Sequence, residues 1–401
     1  MPHFTFSISA NETSVDVSDP LWSRPLPLSR HQGIGLDASD SDATITYSEY
    51  FTAVQQFIKQ QRLADLILAV QNGMGQSVAL PDLDNIHVYL EKHGQFYHPA
   101  RLVVDVFGRR LSFVVNVAVT PIGRSYLRKD FDNIRTLNRR FPYRFLPQVY
   151  AHGVVFLGSQ HAQRMEMFLG QWLDEFHEFH LSGEPVAGNN RLLVWDTRQG
   201  AQRLSTEARR DVYRQAAQIL TAYYNLETFE QISSWHHAAG DFIVKSDGHR
   251  LDVRLITVRE YAPIIDATGS DAETVVQALL LFLLNLSIKM RLDRRDGVGA
   301  ITWASEDAVA ATLNGFIDGL FLQVENDRIP GELVVFFAAY LKSLTAIEFS
   351  DVLDAVFERT FKQTHESDTI RQQLKPHAQS LFNSIAGLKE RGINPNMKCM
   401  D

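Results

Sequence analysis

At 401 residues the chain exceeds the ~250 to 300 residues at which a single hydrophobic core stops growing, so two packed units are expected. Its hydrophobic fraction of 45% and charged fraction of 21% are those of an ordinary globular protein and exclude a disordered or fibrous chain. The net charge of -8 excludes broad, sequence-blind binding to nucleic acid, and the lone Cys399 forms no disulfide within the chain, which makes a reducing cytoplasm the simplest expected compartment.

Residues 1–45 mix Pro, Ser, Asp and short apolar pairs without a sustained period and are expected to be an irregular lead-in; they lack the n-region and h-region of a secretory signal. A helix fits "YSEYFTAVQQFIKQQRLADLILAVQNG", where Tyr50, Ala53, Phe57, Ala64 and Leu68 recur at helical spacing up to Gly73. "NGMGQS" has the look of a phosphate turn but follows a helix and lacks the Lys and Ser/Thr of one, so it is expected to be a helix cap. Then "IHVYLEKHG", "ARLVVDVFG" and "RLSFVVNVAVT" predict three antiparallel strands rich in β-branched and aromatic residues. Leu127, Phe131, Ile134 and Leu137 predict a helix after Pro121, and "RFLPQVYAHGVVFL" and "QRMEMFLG" two more strands. The expected class is α+β: residues 46–170 hold a helix and a five-stranded antiparallel sheet with one inserted helix, and residues 171–401 form a mostly helical lobe.

In that second lobe helices are predicted over 206–224, 271–292, 307–321, 331–344, 350–362 and 369–388. The most apolar window, "VVQALLLFLLNLSI", is broken by Gln277, Asn285 and Ser287, falls short of the ~18 to 20 residues a membrane span needs, and is expected to be a core helix. Two smaller features stand out. His177 and His180 are spaced to share one side of a helix, as a weak metal-binding pattern or a solvated face. Arg128, Lys129, Arg135, Arg139, Arg140 and Arg144 form the densest basic run, either a solvated helix face or an attraction for a phosphate or an acidic partner.

This order of elements resembles the two-lobed protein-kinase-like fold, specifically the branch of aminoglycoside phosphotransferases and related small-molecule kinases, over roughly residues 85 to 300. The resemblance implies ATP and Mg²⁺ as ligands and assigns positions to them. "VAVT" puts Ala118 beside an adenine and Thr120 where the family has its phosphate-binding lysine. Asp130 matches the acid that pairs with that lysine, and Glu166, Met167 and Phe168 match the hinge that offers backbone groups to the adenine. "WHHAAGDFIV" resembles the catalytic loop, with Asp241 at a metal-ligand position and His236 or His237 where the base aspartate belongs. Thr257 in "VRLITVREY" falls where the second metal carboxylate is expected, and "EKHGQFYHP" carries no glycine-rich phosphate loop.

Two functions remain open on these residues. One is a degenerate phosphotransferase, a pseudokinase with a regulatory or scaffolding role in the cytoplasm, with residual binding of a nucleotide or a phosphorylated ligand left open, acting through a small molecule or a protein and not through nucleic acid or membrane. The other is an active phosphotransferase in which His237 acts as base with Asp241, and with Glu260 as a further candidate. For Asp241 the plain alternative is structural: a carboxylate that caps the turn.

Overall fold

A computed structural model describes residues 2–8, 13–27, 45–94, 96–158, 163–183, 191–196, 200–237, 240–248, 250–265 and 271–388; Cys399 and the middle of the expected lead-in lie outside them. The protein is α+β, and the chain divides into two compact units, Met1–Arg139 with Pro147–Asp174 and Arg140–Leu146 with Glu175–Asp401.

The first unit is built on a sheet of seven strands. β1 (His3–Ile8) and β2 (Thr13–Ser14) precede helix α1 (Tyr47–Gln56), a π turn (Phe57–Gln61) and α2 (Leu63–Met74). β3 (Leu83–Leu90), β4 (Ala100–Val106) and β5 (Arg109–Ala118) follow, then α3 (Pro121–Arg140), β6 (Val149–Leu157) and β7 (Gln163–Gln171). The strand order is β2-β1-β3-β4-β5-β7-β6. The five predicted strands therefore form one sheet, and two more extend it. β1 pairs in parallel with β3, from His3 opposite Asn85 to Ile8 opposite Leu90. The expected irregular lead-in thus supplies a strand. Its six residues, "HFTFSI", are too short a run to show a sustained period, and their partner lies some eighty residues downstream.

Side chains alternate across the sheet. Val115, Val117, Met165, Met167 and Leu169 point into the larger core with Tyr50, Phe51, Phe57 and Val70 of the α1–α2 arm. Ala118 and Phe168 point to the other face, where they meet Leu127 and Phe131 of α3. The single helix predicted across the arm is broken by the π turn, and the break has a use. Gln61 Nε2 donates to Val154 O at 3.1 Å and Arg62 Nη2 donates to His152 O, so the bend covers carbonyls of the edge strand β6. α2 then ends at Gly75, left-handed at φ 67°, the helix cap expected of "NGMGQS".

The second unit contains more β-structure than its helical periodicity suggests. β8 (His177–Ser182), β9 (Arg191–Asp196) and β10 (Gly200–Arg203) precede α4 (Thr206–Ala222). β11 (Glu230–Ile232), the hairpin β12 (Phe242–Ser246) and β13 (Leu251–Leu255), and β14 (Tyr261–Pro263) follow. Next come α5 (Ala272–Lys289), β15 (Leu292–Arg294) and β16 (Ile301–Trp303). α6 (Asp307–Glu325), α7 (Gly331–Ser343), α8 (Ala346–Val356), a second π turn (Phe357–Phe361) and α9 (Ser367–Ala386) complete it. A second sheet runs β10-β9-β8-β12-β13.

All six predicted helices are present. α5, capped by Asp271 through the Thr274 N–H, is long and apolar enough by length and composition to cross a membrane, and more than half of it is buried within the protein. α4 and α6 approach closely because α6 carries glycine at 315 and 319. A Cβ at Gly315 would stand 1.9 Å from the carbonyl oxygen of Arg214, and one at Gly319 2.6 Å from Thr221 Cβ.

Candidate functional site

The turn before β12 brings together the residues that the sequence singled out in the second unit. Gly240 is left-handed at φ 66°, and a Cβ there would lie 2.7 Å from the Glu178 carboxyl carbon, so the bend favours glycine. The bend delivers Asp241 into the interior, where it is fully buried. Its main chain joins the far side of the hairpin, accepting the Ile256 N–H at 2.8 Å.

Four protein hydrogen bonds converge on the Asp241 carboxylate. Arg259 grips it with both arms of its guanidinium, Nη1 to Oδ2 at 2.8 Å and Nη2 to Oδ1 at 2.5 Å. Thr257 Oγ1 donates to Oδ1 at 2.7 Å and the His236 N–H to Oδ2 at 2.8 Å. Burial works to raise the carboxyl's pKa, but the Arg259 charge and these hydrogen bonds prevail and hold it below the usual carboxylate range. The two positions expected to share a metal, Asp241 and Thr257, are thus adjacent. The positive charge beside them is Arg259, whose side chain is 11% exposed. Among the described residues no group of three or more His, Cys, Asp or Glu is placed to hold a metal ion.

His237 is a core histidine. Its ring lies among Phe179, Tyr213, Trp235 and Phe242, with centroids 5.5 to 5.9 Å away. Nε2 meets Met290 Sδ at 3.2 Å, while buried Nδ1 has no hydrogen-bond partner among the described residues. Burial lowers its pKa to about 4, so the ring is neutral at physiological pH. The expected His237–Asp241 couple is therefore two neighbours with separate partners: the carboxylate faces Arg259 and the imidazole faces sulfur and aromatic rings.

Beside this turn, Glu260 Oε2 accepts the hydroxyls of Ser233 at 2.8 Å and Ser234 at 2.6 Å. Lys289, at the end of α5, donates to Ser233 O and lies 4.8 Å over the Trp235 ring. Desolvation brings its pKa down to about 8, against the pull of Asp241, Glu260 and Glu366. Glu260 is thus engaged with the loop itself.

In the first unit Thr120 is the cap of α3. Its Oγ1 accepts the Gly123 N–H at 3.1 Å and its carbonyl accepts the Arg124 N–H at 2.9 Å, with Pro121 opening the helix. The expected phosphate position is taken up in starting a helix. Asp130 is buried on the inner face of α3, and Arg128 of the same helix pairs with Glu166 of the sheet at 2.8 Å. Glu166, Met167 and Phe168 pair with Ala118, Val117 and Asn116 on one side and with Val154, Gly153 and His152 on the other. Their backbone groups are consumed by the two ladders.

The pair His177 and His180 lies on β8, not on a helix, so an odd separation sends the rings to opposite faces. His177 Nε2 sits 3.6 Å from Asp196 and His180 Nδ1 3.6 Å from Asp293. The residue that sequence reasoning missed is Arg259. A cation two residues beyond Thr257, on the same side of an extended chain, was its available signal. No protein-family model matches the chain, and no curated protein gives a significant sequence match to it.

Proposed function

We propose that this is a kinase-like-fold protein without working phosphotransfer chemistry, a pseudokinase that acts in the cytoplasm as a regulatory or scaffolding component. The strand order β3-β4-β5-β7-β6, with α3 inserted between β5 and β6, supports the resemblance to the nucleotide-binding lobe of that fold. α4, the loop around Asp241 and the β12–β13 hairpin follow in the order expected of the other lobe.

The observation that carries the reading is the Arg259–Asp241 pair. Phosphoryl transfer is positioning plus neutralisation of charge by metal ions and a lysine. Here an internal guanidinium occupies the carboxylate that would hold the metal, and a helix-capping threonine stands at the lysine position. An exchangeable Mg²⁺ would have to displace a bidentate arginine, whose charge would then be left partly buried and unpaired. The alternative reading, catalysis by His237, requires a base that can reach substrate, and this imidazole is enclosed and has its pKa lowered to about 4.

The test is direct. Purified protein is expected to show neither ATP turnover nor a Mg²⁺-dependent rise in melting temperature with ATP or GTP, since a ligand at ~100 times its Kd adds about 2.7 kcal/mol. Mg²⁺-dependent turnover abolished by His237→Ala would overturn the proposal and make that histidine the base.

A further inference from the structure

The α3-facing side of the first unit's sheet carries a charge arrangement that neither the fold nor the reading above accounts for. Glu166 is fully buried and attracts more positive charge than one carboxylate neutralises. Arg128 holds it as a fork, Nε to Oε1 and Nη2 to Oε2, both at 2.9 Å. Arg164 Nη2 reaches Oε2 at 3.3 Å, and His152 Nε2 reaches Oε1 at 2.9 Å. One turn earlier on α3, Arg124 donates through Nη1 to Val119 O at 2.6 Å and Arg164 O at 3.1 Å.

Two guanidinium groups thus share one acid, and Arg124, tied to the Arg164 carbonyl, adds a third positive charge beside them, so the three arginines carry two more charges than Glu166 neutralises even with His152 set aside. Arg128 and Arg164 remain 52% and 44% exposed. Glu166 leaves Nη1 of Arg128 and both Nε and Nη1 of Arg164 unused. Beside them stands an apolar group: Phe156 is the cross-strand partner of Arg164 on β6 and is 48% exposed.

We propose that Arg124, Arg128 and Arg164 form a binding site for a phosphomonoester, with the phosphoryl dianion on the guanidinium cluster and its apolar or aromatic carrier against Phe156. A phosphomonoester carries about -1.5 to -2 charges at neutral pH, which matches the local excess, whereas a carboxylate leaves a guanidinium unneutralised. Arginine forks suit phosphate oxygens. Because Glu166 and two carbonyls already fix these side chains, little rotamer freedom remains to be lost on binding. The site lies entirely within the first unit and does not depend on whether the Asp241 region binds metal.

The test is isothermal titration of the full chain at constant ionic strength with inorganic phosphate, phenyl phosphate, benzoate and sodium chloride. Saturable binding is expected for both phosphates, tighter for phenyl phosphate, and none for benzoate or chloride. Arg124→Gln and Arg164→Gln, which leave the Arg128–Glu166 fork in place, are each expected to weaken both phosphates about tenfold with unchanged circular dichroism. Phe156→Ser should abolish only the advantage of phenyl phosphate, and Arg139→Gln, at the exposed far end of α3, should change nothing. Equal heats from chloride, or phosphate binding unaffected in both arginine variants, would overturn the site. Equal affinity for the two phosphates would overturn the carrier and leave a site for free phosphate.

Discussion

Asp241 and Arg259 neutralise each other in the interior, and such a pair is asymmetric in its energetics. The attraction roughly repays the desolvation of both groups, so the intact pair adds little net stability, while removing one partner strands a charge and costs about 3 to 5 kcal/mol. Asp241→Ala is therefore expected to destabilise by that amount in urea unfolding at pH 7, and Asp241→Leu combined with Arg259→Met to be markedly less harmful than Asp241→Leu alone. An unchanged unfolding midpoint for Asp241→Ala would show that the carboxylate is spare, as a vacant metal ligand would be. At this scale the sequence was half legible. "GDFIV" identified the acid and the turn, because glycine before an acid before an apolar run marks a bend into a strand. Local pattern says what an acid is suited for and not which cation reaches it, and Arg259 arrives from the far side of the β12–β13 hairpin. The same limit applies to Glu166, which the sequence suggested for its backbone and which the fold uses for its side chain.

Helices were legible wherever an amphipathic or apolar stripe ran several turns, as in α3 and α5, because period and capping agree over many residues. The strands that went unrecognised are short and paired at a distance: β1 finds its partner in β3, and β8 joins β9 on one side and β12 on the other. "HEFHLS" carries no alternation strong enough to announce β8, and tertiary pairing decides it. The α4–α6 contact is a further case in which glycine spacing has meaning only once the partner helix is known. Gly315→Ala must push α6 away from the Arg214 carbonyl, a backbone atom that cannot swing aside as a side chain would. A loss of about 3 kcal/mol in unfolding free energy is expected, at the upper end of the usual overpacking range. The added helix propensity of alanine, worth about 1 kcal/mol, works the other way. Gly387→Ala, at the end of α9 with only ordinary contacts around it, is the control and should be nearly neutral. Equal effects of the two substitutions would mean that the helices have room to separate.

Across the whole molecule, three buried histidines tie stability to pH. Burial lowers His98 to about 4, with help from His93, and His237 to about 4; burial and the neighbouring Arg291 lower His377 to about 3. Above pH 6.5, the ordinary histidine value, folded and unfolded chains both hold these rings neutral and the full stability is present. Below it the unfolded chain takes up protons that the folded chain refuses, so stability falls by up to about 1.4 kcal/mol per pH unit for each ring until the folded pKa is reached. Asp241, whose carboxyl is held low by Arg259, adds its own loss only below about pH 4. The expected outcome is steep destabilisation between pH 6.5 and 4.5, measured as unfolding free energy in urea. The slope is unequally shared, since His237 and His377 belong to the second unit and His98 to the first. His236, also lowered by burial, belongs to the second unit too, so the second unit should lose stability faster than the first on acidification. His377 bonds Ser287 Oγ at 3.0 Å, and His377→Gln keeps a polar group there while removing the titration. It should flatten the acid slope of the second unit and leave that of the first unchanged. A protein as stable at pH 4.5 as at pH 7.5 would mean that these rings gain protons in place, with water reaching each of them.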